Sequence, residues 1–383
     1  MARATGIPMV LAATALAVAC ADIKTAPEDV AAAAAEDAGS GETGSSGGDA
    51  ASSGGTSSGG TSSGGDGGAG PGAACRPEVL DCLDATSATV LEVPTEYATL
   101  QAAFQAAKAN DVVQIKGASL GAGWRVPPYV TLRGCAGAKL VGNLGFQGSA
   151  GIVEGFTVTS AGSIVANTTG SFVVRQNRFV GPAGGNEPGV SGRSIDGIVS
   201  AQVVLVVEAN RFEERTYGVE AATSYDTGTR SVAITIQNNL FRGVANPIRI
   251  SEGGLVGTID AKIEHDTFYD FTTAISLFDV GRVTKTNANA FQKGTSAIKG
   301  SPYEVASSFA WEVTTPAGSA PNAGAFAEAD LRLVDAAGGD LRPGAGSPLV
   351  DAVAPGGAGP ATDYQGCPRP SGPRADVSAY ENP

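Results

Sequence analysis

The sequence predicts an all-β fold, a single-stranded right-handed parallel β-helix with a short N-terminal capping helix. Three observations support this prediction. A phenylalanine recurs six times at similar intervals, Asn or Asp stands two places before the last five, and apolar residues alternate before several of them. A mark that recurs every ~20–35 residues indicates stacked supersecondary units. An apolar period of two indicates strands, and the shortest interval has room for three short ones.

The two repeated residue types predict how the coils stack. Asn and Asp tolerate a positive φ better than other non-glycine residues, so we expect them to make the sharp turn between two strands. Stacked coils would align their side chains in a hydrogen-bonded ladder and the phenylalanines in an inward-facing stack. The predicted ladder residues are Asn177, Asn210, Asn239, Asp266 and Asn289, and the predicted stack is Phe156, Phe179, Phe212, Phe241, Phe268 and Phe291.

One stretch has the periodicity of a helix. In YATLQAAFQAAKAND, residues 97–111, the side chains of Leu100, Ala103, Phe104 and Ala107 fall on one helical face. A strand, DVVQIK, follows directly, and helical periodicity then disappears. We therefore expect this helix to cap the first coil.

The N-terminus predicts a targeting segment. Arg3 precedes a short apolar run, 7–18, which is too short to cross a bilayer as a helix. The run ends in LAVAC, and small residues directly before a cysteine resemble the lipobox of bacterial lipoproteins. That resemblance implies a signal peptide over 1–19 and a lipidated Cys20. An ordinary secretory signal with a chance cysteine is the alternative.

The remaining chain divides by composition. Residues 20–74 are rich in Ala, Gly and Ser, and Gly and Ser make up most of the stretch 39–72. Such a segment cannot bury apolar surface, so we expect a disordered linker. The β-helix is predicted over 75–335, and a C-terminal segment that closes it over 336–383.

Charge and histidine content narrow the function. The net charge is −13, whereas phosphate binding needs clustered Lys and Arg, so we expect no nucleic-acid partner. The single histidine, His265, excludes sites that need a pair of imidazoles within one chain. Because it lies beside the ladder residue Asp266, we expect it to face solvent at the turn.

The cysteine count suggests two disulfides. If Cys20 carries lipid, four cysteines remain in an exported chain: Cys75, Cys82, Cys135 and Cys367. Three pairings are open, and the local one joins Cys75 to Cys82 and Cys135 to Cys367. The rival, a zinc site of four cysteines, lacks C-x2-C spacing, so no metal is predicted.

Both ends of the predicted β-helix carry a family resemblance. EYATLQAAFQAAKANDVVQIKG is similar to the opening helix and strand of the pectin-lyase-like superfamily. GDLRPGAGSPLVDA followed by TDYQGCPRPSGPRADVSAYE resembles the ending of bacterial surface proteins with a choice-of-anchor Q domain. The matching residues are Ser347, Pro348, Asp351, Asp363, Gly366, Arg369, Pro370, Asp376, Ala379, Tyr380 and Glu381, with departures at Cys367 and Ser378. The resemblance implies a β-helix at the cell surface.

One column of polar residues is a candidate binding site. If the aliphatic residue seven places after each phenylalanine points inward, the next residue points outward, and adjacent coils bring these residues together. This column is Glu220, Arg249, Ser276 and Lys299, and further candidates in nearby turns and loops are Asp196, Tyr225, Asp226, Glu252 and Asp279. Such a surface suits an acidic sugar with a cation, but we favour a solvated ladder of salt bridges.

Two functions remain open. We favour a membrane-anchored bacterial surface protein without catalytic activity, serving adhesion, glycan binding or envelope structure, without cofactor and as a monomer. Its partners would be the membrane, through Cys20, and a polysaccharide or a cell-surface protein. The alternative is a polysaccharide lyase or glycoside hydrolase for acidic polysaccharides, with calcium only in the lyase case. The motifs Asn-Thr-Asp, Asp-Asp, Gly-His-Gly and Arg-Ile-Lys, which the resemblance would imply for a hydrolase of the polygalacturonase type, are absent.

Overall fold

The described residues of the computed structural model are 80–83, 89–159, 162–181, 187–193, 200–223, 229–252, 257–278, 280–282, 284–301, 303–317, 326–354 and 359–382. The predicted signal peptide and linker, with Cys20 and Cys75, lie outside them. All described residues belong to one compact unit, Ser58–Pro383. Within this part of the chain, no helix has both the length and the apolar character needed to cross a membrane.

Nearly all regular structure is β. In chain order the elements are β1 (Val90–Val93), α1 (Leu100–Ala106), β2 (Val112–Lys116), β3 (Ser119–Leu120), β4 (Trp124–Val126), β5 (Val130–Cys135), β6 (Lys139–Leu140), β7 (Asn143–Phe146), β8 (Ala150–Glu154), β9 (Thr157–Val158), β10 (Ser163–Ala166), β11 (Gly170–Arg175), β12 (Arg178–Val180), β13 (Val190–Arg193), β14 (Ser200–Glu208), β15 (Arg211–Glu213), β16 (Tyr217–Ala222), β17 (Thr229–Gln237), β18 (Leu240–Arg242), β19 (Asn246–Ser251), β20 (Gly257–Glu264), β21 (Thr267–Phe278), β22 (Thr284–Asn287), β23 (Ala290–Lys299), β24 (Tyr303–Ala306), β25 (Phe309–Ala317), β26 (Ala327–Glu328), β27 (Leu333–Asp335) and β28 (Asp340–Pro343).

The strands form stacked coils. The first sheet has ten strands in the order β1-β2-β5-β8-β11-β14-β17-β20-β22-β24, so each strand pairs with its counterpart one coil away. A second row runs β3-β6-β9-β12-β15-β18, and a third runs β4-β7-β10-β13-β16-β19. The long strand β21 pairs with the last member of both rows. All these pairings are parallel, which confirms the predicted parallel β-helix. The helix α1 is shorter than predicted, and Thr99 caps its N-terminus by accepting from the backbone N–H of Ala102.

The phenylalanine stack forms the centre of the core. Consecutive rings lie nearly parallel, with centroids 4.5 to 5.0 Å apart, and all are fully buried. The stack contains Phe179, Phe212, Phe241, Phe268 and Phe291. Stacked burial of these rings holds the coils in register, because a shift of one residue would turn every ring outward.

Phe156 was wrongly placed in this stack. Its backbone N–H donates to Oδ1 of Asn177 at 3.0 Å, so Phe156 occupies the ladder position of its own coil. Gly155, with φ of 80°, makes the turn directly before it. Two places later, Val158 pairs with Phe179 and fills the stack position of this coil.

The ladder residues are linked by hydrogen bonds from coil to coil. At each step, the backbone N–H of one residue donates to the side-chain oxygen of the next, over 2.6 to 3.2 Å. The linked residues are Asn177, Asn210, Asn239, Asp266, Asn289 and Ser308. The side-chain amide of Asn239 also donates to the carbonyl oxygens of Val207 and Gln237, which ties each rung to the backbone. The ladder thus satisfies backbone groups that the sharp turn would leave unpaired.

The prediction was wrong about which residue makes the turn. Positive φ falls one place earlier, on Gln176, Ala209, Asn238, His265 and Ala288, with values of 52° to 56°. The ladder residues themselves do not adopt positive φ. Each ladder side chain points inward, where it bonds backbone groups of its own and the neighbouring coil. The residue directly before it therefore adopts the positive φ of the turn.

The C-terminal segment, described over 336–354 and 359–382, lies along the ladder turns. The side-chain amide of Asn238 donates to the carbonyl oxygen of Thr362 at 2.7 Å, and the backbone N–H of Ala379 donates to Oγ1 of Thr267 at 3.0 Å. Nδ1 of His265 lies 3.1 Å from the carbonyl oxygen of Asp376. His265 is therefore fully buried, and the expectation that it faces solvent was wrong. Burial lowers its pKa to about 3, and the charge of Arg369 acts in the same direction.

The disulfide differs from the local pairing. Cys82 is bonded to Cys135, whose Cα atom lies 5.2 Å away although the two are distant in sequence. Cys367 is also in a disulfide. The bond between Cys82 and Cys135 fastens the chain before β1 to the end of β5, a contact that sequence spacing does not reveal.

Candidate functional site

The predicted column lies on the outer face of the third row. Glu220 of β16 pairs in register with Arg249 of β19, Arg249 pairs with Ser276 of β21, and Ser276 pairs with Lys299 of β23. Ser191 of β13 precedes Glu220 in the same column. The parallel register therefore brings residues that are one full coil apart in sequence into contact.

Two charged residues of this column, Glu220 and Arg249, contact each other, and Arg193 of β13 contacts Glu220 as well. Nε of Arg193 donates to Oε2 of Glu220 at 3.0 Å, and Nη1 of Arg249 lies 3.8 Å from Oε1 of the same carboxylate. The guanidinium of Arg249 also lies over the ring of Phe278, with its carbon 5.4 Å from the ring centroid. Glu220 is consequently a paired and nearly buried carboxylate.

The other predicted candidates do not join this column in the described part of the chain. Glu252 is buried, and its two carboxylate oxygens accept from the backbone N–H groups of Ile259 and Gly281, each at 2.6 Å. The carboxylate of Glu252 therefore links β20 to the segment that precedes β22. Asp196, Tyr225, Asp226 and Asp279 lie outside the described residues.

A second polar column runs along the first sheet, and from β8 onward its members are the last residues of their strands. In register it reads Glu92, Gln114, Arg133, Glu154, Arg175, Glu208, Gln237, Glu264 and Asn287. Glu154 accepts from Arg133 at 3.0 Å and from Arg175 at 2.7 Å, and Glu208 accepts from Gln237 at 3.0 Å. Sequence reasoning missed this column, although its members from Arg175 onward stand two places before each ladder residue.

Two adjoining cavities open where this column meets the C-terminal segment. One, of about 250 Å³, is lined by Arg175, Glu208 and residues 362–364 among others. The second, of about 290 Å³, lies beside it. Its lining includes Leu80, Phe156, Thr157, Asn177, Arg178 and Arg211. Both cavities are lined by Gln176 and Tyr364, and together we call them the arginine groove.

The arginines of the groove differ in their pairing. Nε of Arg178 donates to Oε2 of Glu213 at 2.7 Å, and Nη2 of Arg211 lies 2.8 Å from Oε1 of that carboxylate. Burial alone would raise the pKa of Glu213, but the hydrogen bond from Arg178 and the charge of Arg211 lower it below its ordinary value. Glu213 therefore remains ionised and holds Arg178 in place. The Arg178 side chain is still 58% exposed.

Metal binding has no ready-made site among the described side chains. No group of three or more His, Cys, Asp or Glu residues in the described ranges is arranged to hold a metal ion.

Comparison with solved structures gives a distant likeness. No protein-family model and no curated protein matches the chain. One similar solved structure is a mutant of the PL6-family alginate lyase AlyGC, at 12% sequence identity and a TM-score of 0.35. The match covers 60% of this chain and 39% of the lyase chain. At that TM-score the likeness supports no conclusion about the activity of this chain.

Proposed function

We propose that the chain is an exported, lipid-anchored β-helix protein of the bacterial cell envelope that binds acidic glycans without cleaving them. The lipobox-like LAVAC supports anchoring at Cys20, and the resemblance of the C-terminal segment to choice-of-anchor Q proteins supports a place at the cell surface. The proposed partners are the membrane and an acidic polysaccharide, and the proposed state is a monomer without a cofactor.

The pairing of Glu220 is the observation that carries the non-catalytic part of this proposal. A general base or acid must be able to exchange a proton with the substrate. Glu220 is held between Arg193 and Arg249. The carboxylate that could act as an acid and the arginine that could act as a base are therefore used in ion pairs with each other. This arrangement favours a salt-bridge ladder over a lyase or hydrolase centre.

The test is to incubate the full-length chain with a panel of uronate-rich polysaccharides, with and without calcium. We expect saturable binding, with no unsaturated product and no new reducing ends. Product that disappears in Arg249→Ala would contradict the proposal and place a lyase on the column. If the assay detects no binding and no product, a structural role or adhesion to a protein is the remaining account.

Anchoring is tested separately. In cells fed labelled palmitate, the chain should carry label and fractionate with membranes, and Cys20→Ser should lose both properties. An unlabelled wild-type chain recovered in the soluble fraction would contradict the lipid anchor.

A further inference from the structure

We propose that the arginine groove is the site that binds the glycan, and that Arg178 takes the carboxylate of a uronate residue. This inference rests on the proposed function and deepens it by naming the site and the chemical group recognised. The groove lies at the ladder turn, whereas the column of Glu220 and Arg249 lies on the third row of strands. The two locations can therefore be separated by mutation.

The orientation of Arg178 leaves a binding edge free. Its Nε is used by Glu213, and its two Nη groups have no partner within the described part of the chain. The Nη pair of a guanidinium matches the two oxygens of a carboxylate, forming parallel charge-assisted hydrogen bonds. Because Glu213 also pairs with Arg211 and lies 3.9 Å from Nη1 of Arg242, the carboxylate that positions Arg178 is itself fixed.

The walls of the groove suit a sugar ring. Leu80 and Tyr364, each with a small exposed fraction, supply the apolar surface against which the C–H face of a pyranose can pack, whereas Phe156 is fully buried. Thr157 in the same lining is partly exposed and supplies a polar group for a sugar hydroxyl, whereas the side chain of Asn177 is buried and used by the ladder. A concave site with apolar walls and a few directed polar groups is typical of small-ligand recognition.

The adjoining cavity carries Arg175 together with the carboxyl groups of Glu208 and Asp363. Arg175 lines it, and its Nε donates to Glu154 while its Nη1 lies 3.9 Å from Glu208. Since both cavities share Gln176 and Tyr364, a chain of acidic sugars can pass from one to the other. Because two glutamates already pair with Arg175, we place the recognised carboxylate at Arg178.

The charge of the whole chain sharpens this inference. With a net charge of −13, the protein repels polyanions at long range, so binding must come from local contacts in the groove. Affinity should consequently depend on the carboxylate itself and be lost when the carboxyl groups are reduced to alcohols.

The experiment measures binding of polygalacturonate and alginate oligosaccharides to the full-length chain by calorimetry. Arg178→Ala should weaken binding tenfold or more, because a charged hydrogen-bonding pair is lost. Arg178→Lys should also weaken binding, since a lysine cannot form the two parallel hydrogen bonds of a guanidinium to a carboxylate. Arg249→Ala is the matched control, another partly exposed arginine paired with one glutamate, and should bind as the wild type does.

The outcomes separate the groove from the broader proposal. Wild-type affinity in Arg178→Ala, or equal weakening in Arg178→Ala and Arg249→Ala, would overturn the groove while leaving glycan binding intact. Equal affinity for carboxyl-reduced oligosaccharides would overturn carboxylate recognition. If the wild type binds no acidic polysaccharide at all, the proposed function and the groove both fail. Circular dichroism of each variant verifies that the fold is kept.

Discussion

Two sides of the coil stack use the same repeat in different ways. On the third row, the outward residues Glu220 and Arg249 pair with each other. At the ladder turns, the C-terminal segment covers the stack, so polar groups such as His265 and Asp266 are fully buried. A column of charges alone gives ion pairs between neighbouring coils, whereas a column met by a second segment gives cavities as well. The comparison teaches that the groove depends on the C-terminal segment.

The largest effect should come from the buried ion pair of that segment. Nη1 of Arg369 donates to Oε2 of Glu381 at 2.9 Å, and Nη2 donates to the carbonyl oxygen of Ser378 at 2.7 Å. Both side chains of the pair are almost completely buried. Arg369→Ala strands the charge of Glu381, and we expect a loss of about 3–5 kcal/mol in the free energy of unfolding.

Urea denaturation measures this loss, and hydrogen exchange should show early opening of residues 359–382. Arg369→Lys is the control, because it keeps the positive charge but loses the several N–H donors of the planar guanidinium. Its stability should fall between those of the wild type and Arg369→Ala. An Arg369→Ala chain as stable as the wild type would show that the segment does not depend on this pair.

A ladder residue should come next. Asn239→Ala removes the hydrogen bonds to the carbonyl oxygens of Val207 and Gln237 and the acceptor for Asn210. Because these groups stay buried without partners, we expect a loss of about 2–4 kcal/mol in the free energy of unfolding. Thermal denaturation checks this value. If Asn239→Ala loses no more free energy of unfolding than a substitution of an exposed polar residue, the ladder is not a source of stability.

Substituting Asp266, another ladder residue, should raise the free energy of unfolding instead of lowering it. Its Oδ1 accepts from Asn239, but its Oδ2 is buried without a hydrogen-bond partner, and burial raises its pKa well above 3.8. Because the folded pKa is raised, the contribution of Asp266 to stability is present below pH 3.8 and is lost as pH rises through the folded pKa. Asp266→Asn should stabilise the chain by about 1 kcal/mol near neutral pH.

The measurement is the free energy of unfolding from pH 4 to pH 8 for the wild type and Asp266→Asn. The advantage of the variant should grow with pH. An advantage independent of pH, or a loss of stability, would show that the carboxylate is well accommodated.

The smallest effect is expected on the third row. Arg249 is 40% exposed and its ion pair spans 3.8 Å, so Arg249→Ala should change the free energy of unfolding by less than about 1 kcal/mol. Chemical denaturation at low and high salt checks this value. A cost comparable to that of Arg369→Ala would erase the difference between the two sides.

Local repeats were sufficient to predict the coils. The offsets of Asn and Phe predicted the strands, the stack and the ladder, because a period of two and a fixed turn leave few registers open. The turn residue itself was missed, since Gln176, Ala209 and His265 share no residue type. Phe156 was misplaced because it stands at the ladder position directly after the turn residue Gly155, and Val158, two places later, fills the stack position.

Long-range contacts could not be predicted from the sequence. His265 was expected in solvent because nothing near it in the chain indicates that Asp376 covers it. The groove likewise combines Leu80, Arg178 and Tyr364, which come from the beginning, the middle and the end of the folded chain. Only the position of the C-terminal segment brings them together.

The most direct measurement is a crystal structure of the full-length chain with a uronate trisaccharide. We predict that a carboxylate of the sugar lies within hydrogen-bond distance of both Nη atoms of Arg178, with its ring beside Tyr364. A sugar bound instead along Glu220 and Arg249, with the arginine groove empty, would contradict the account.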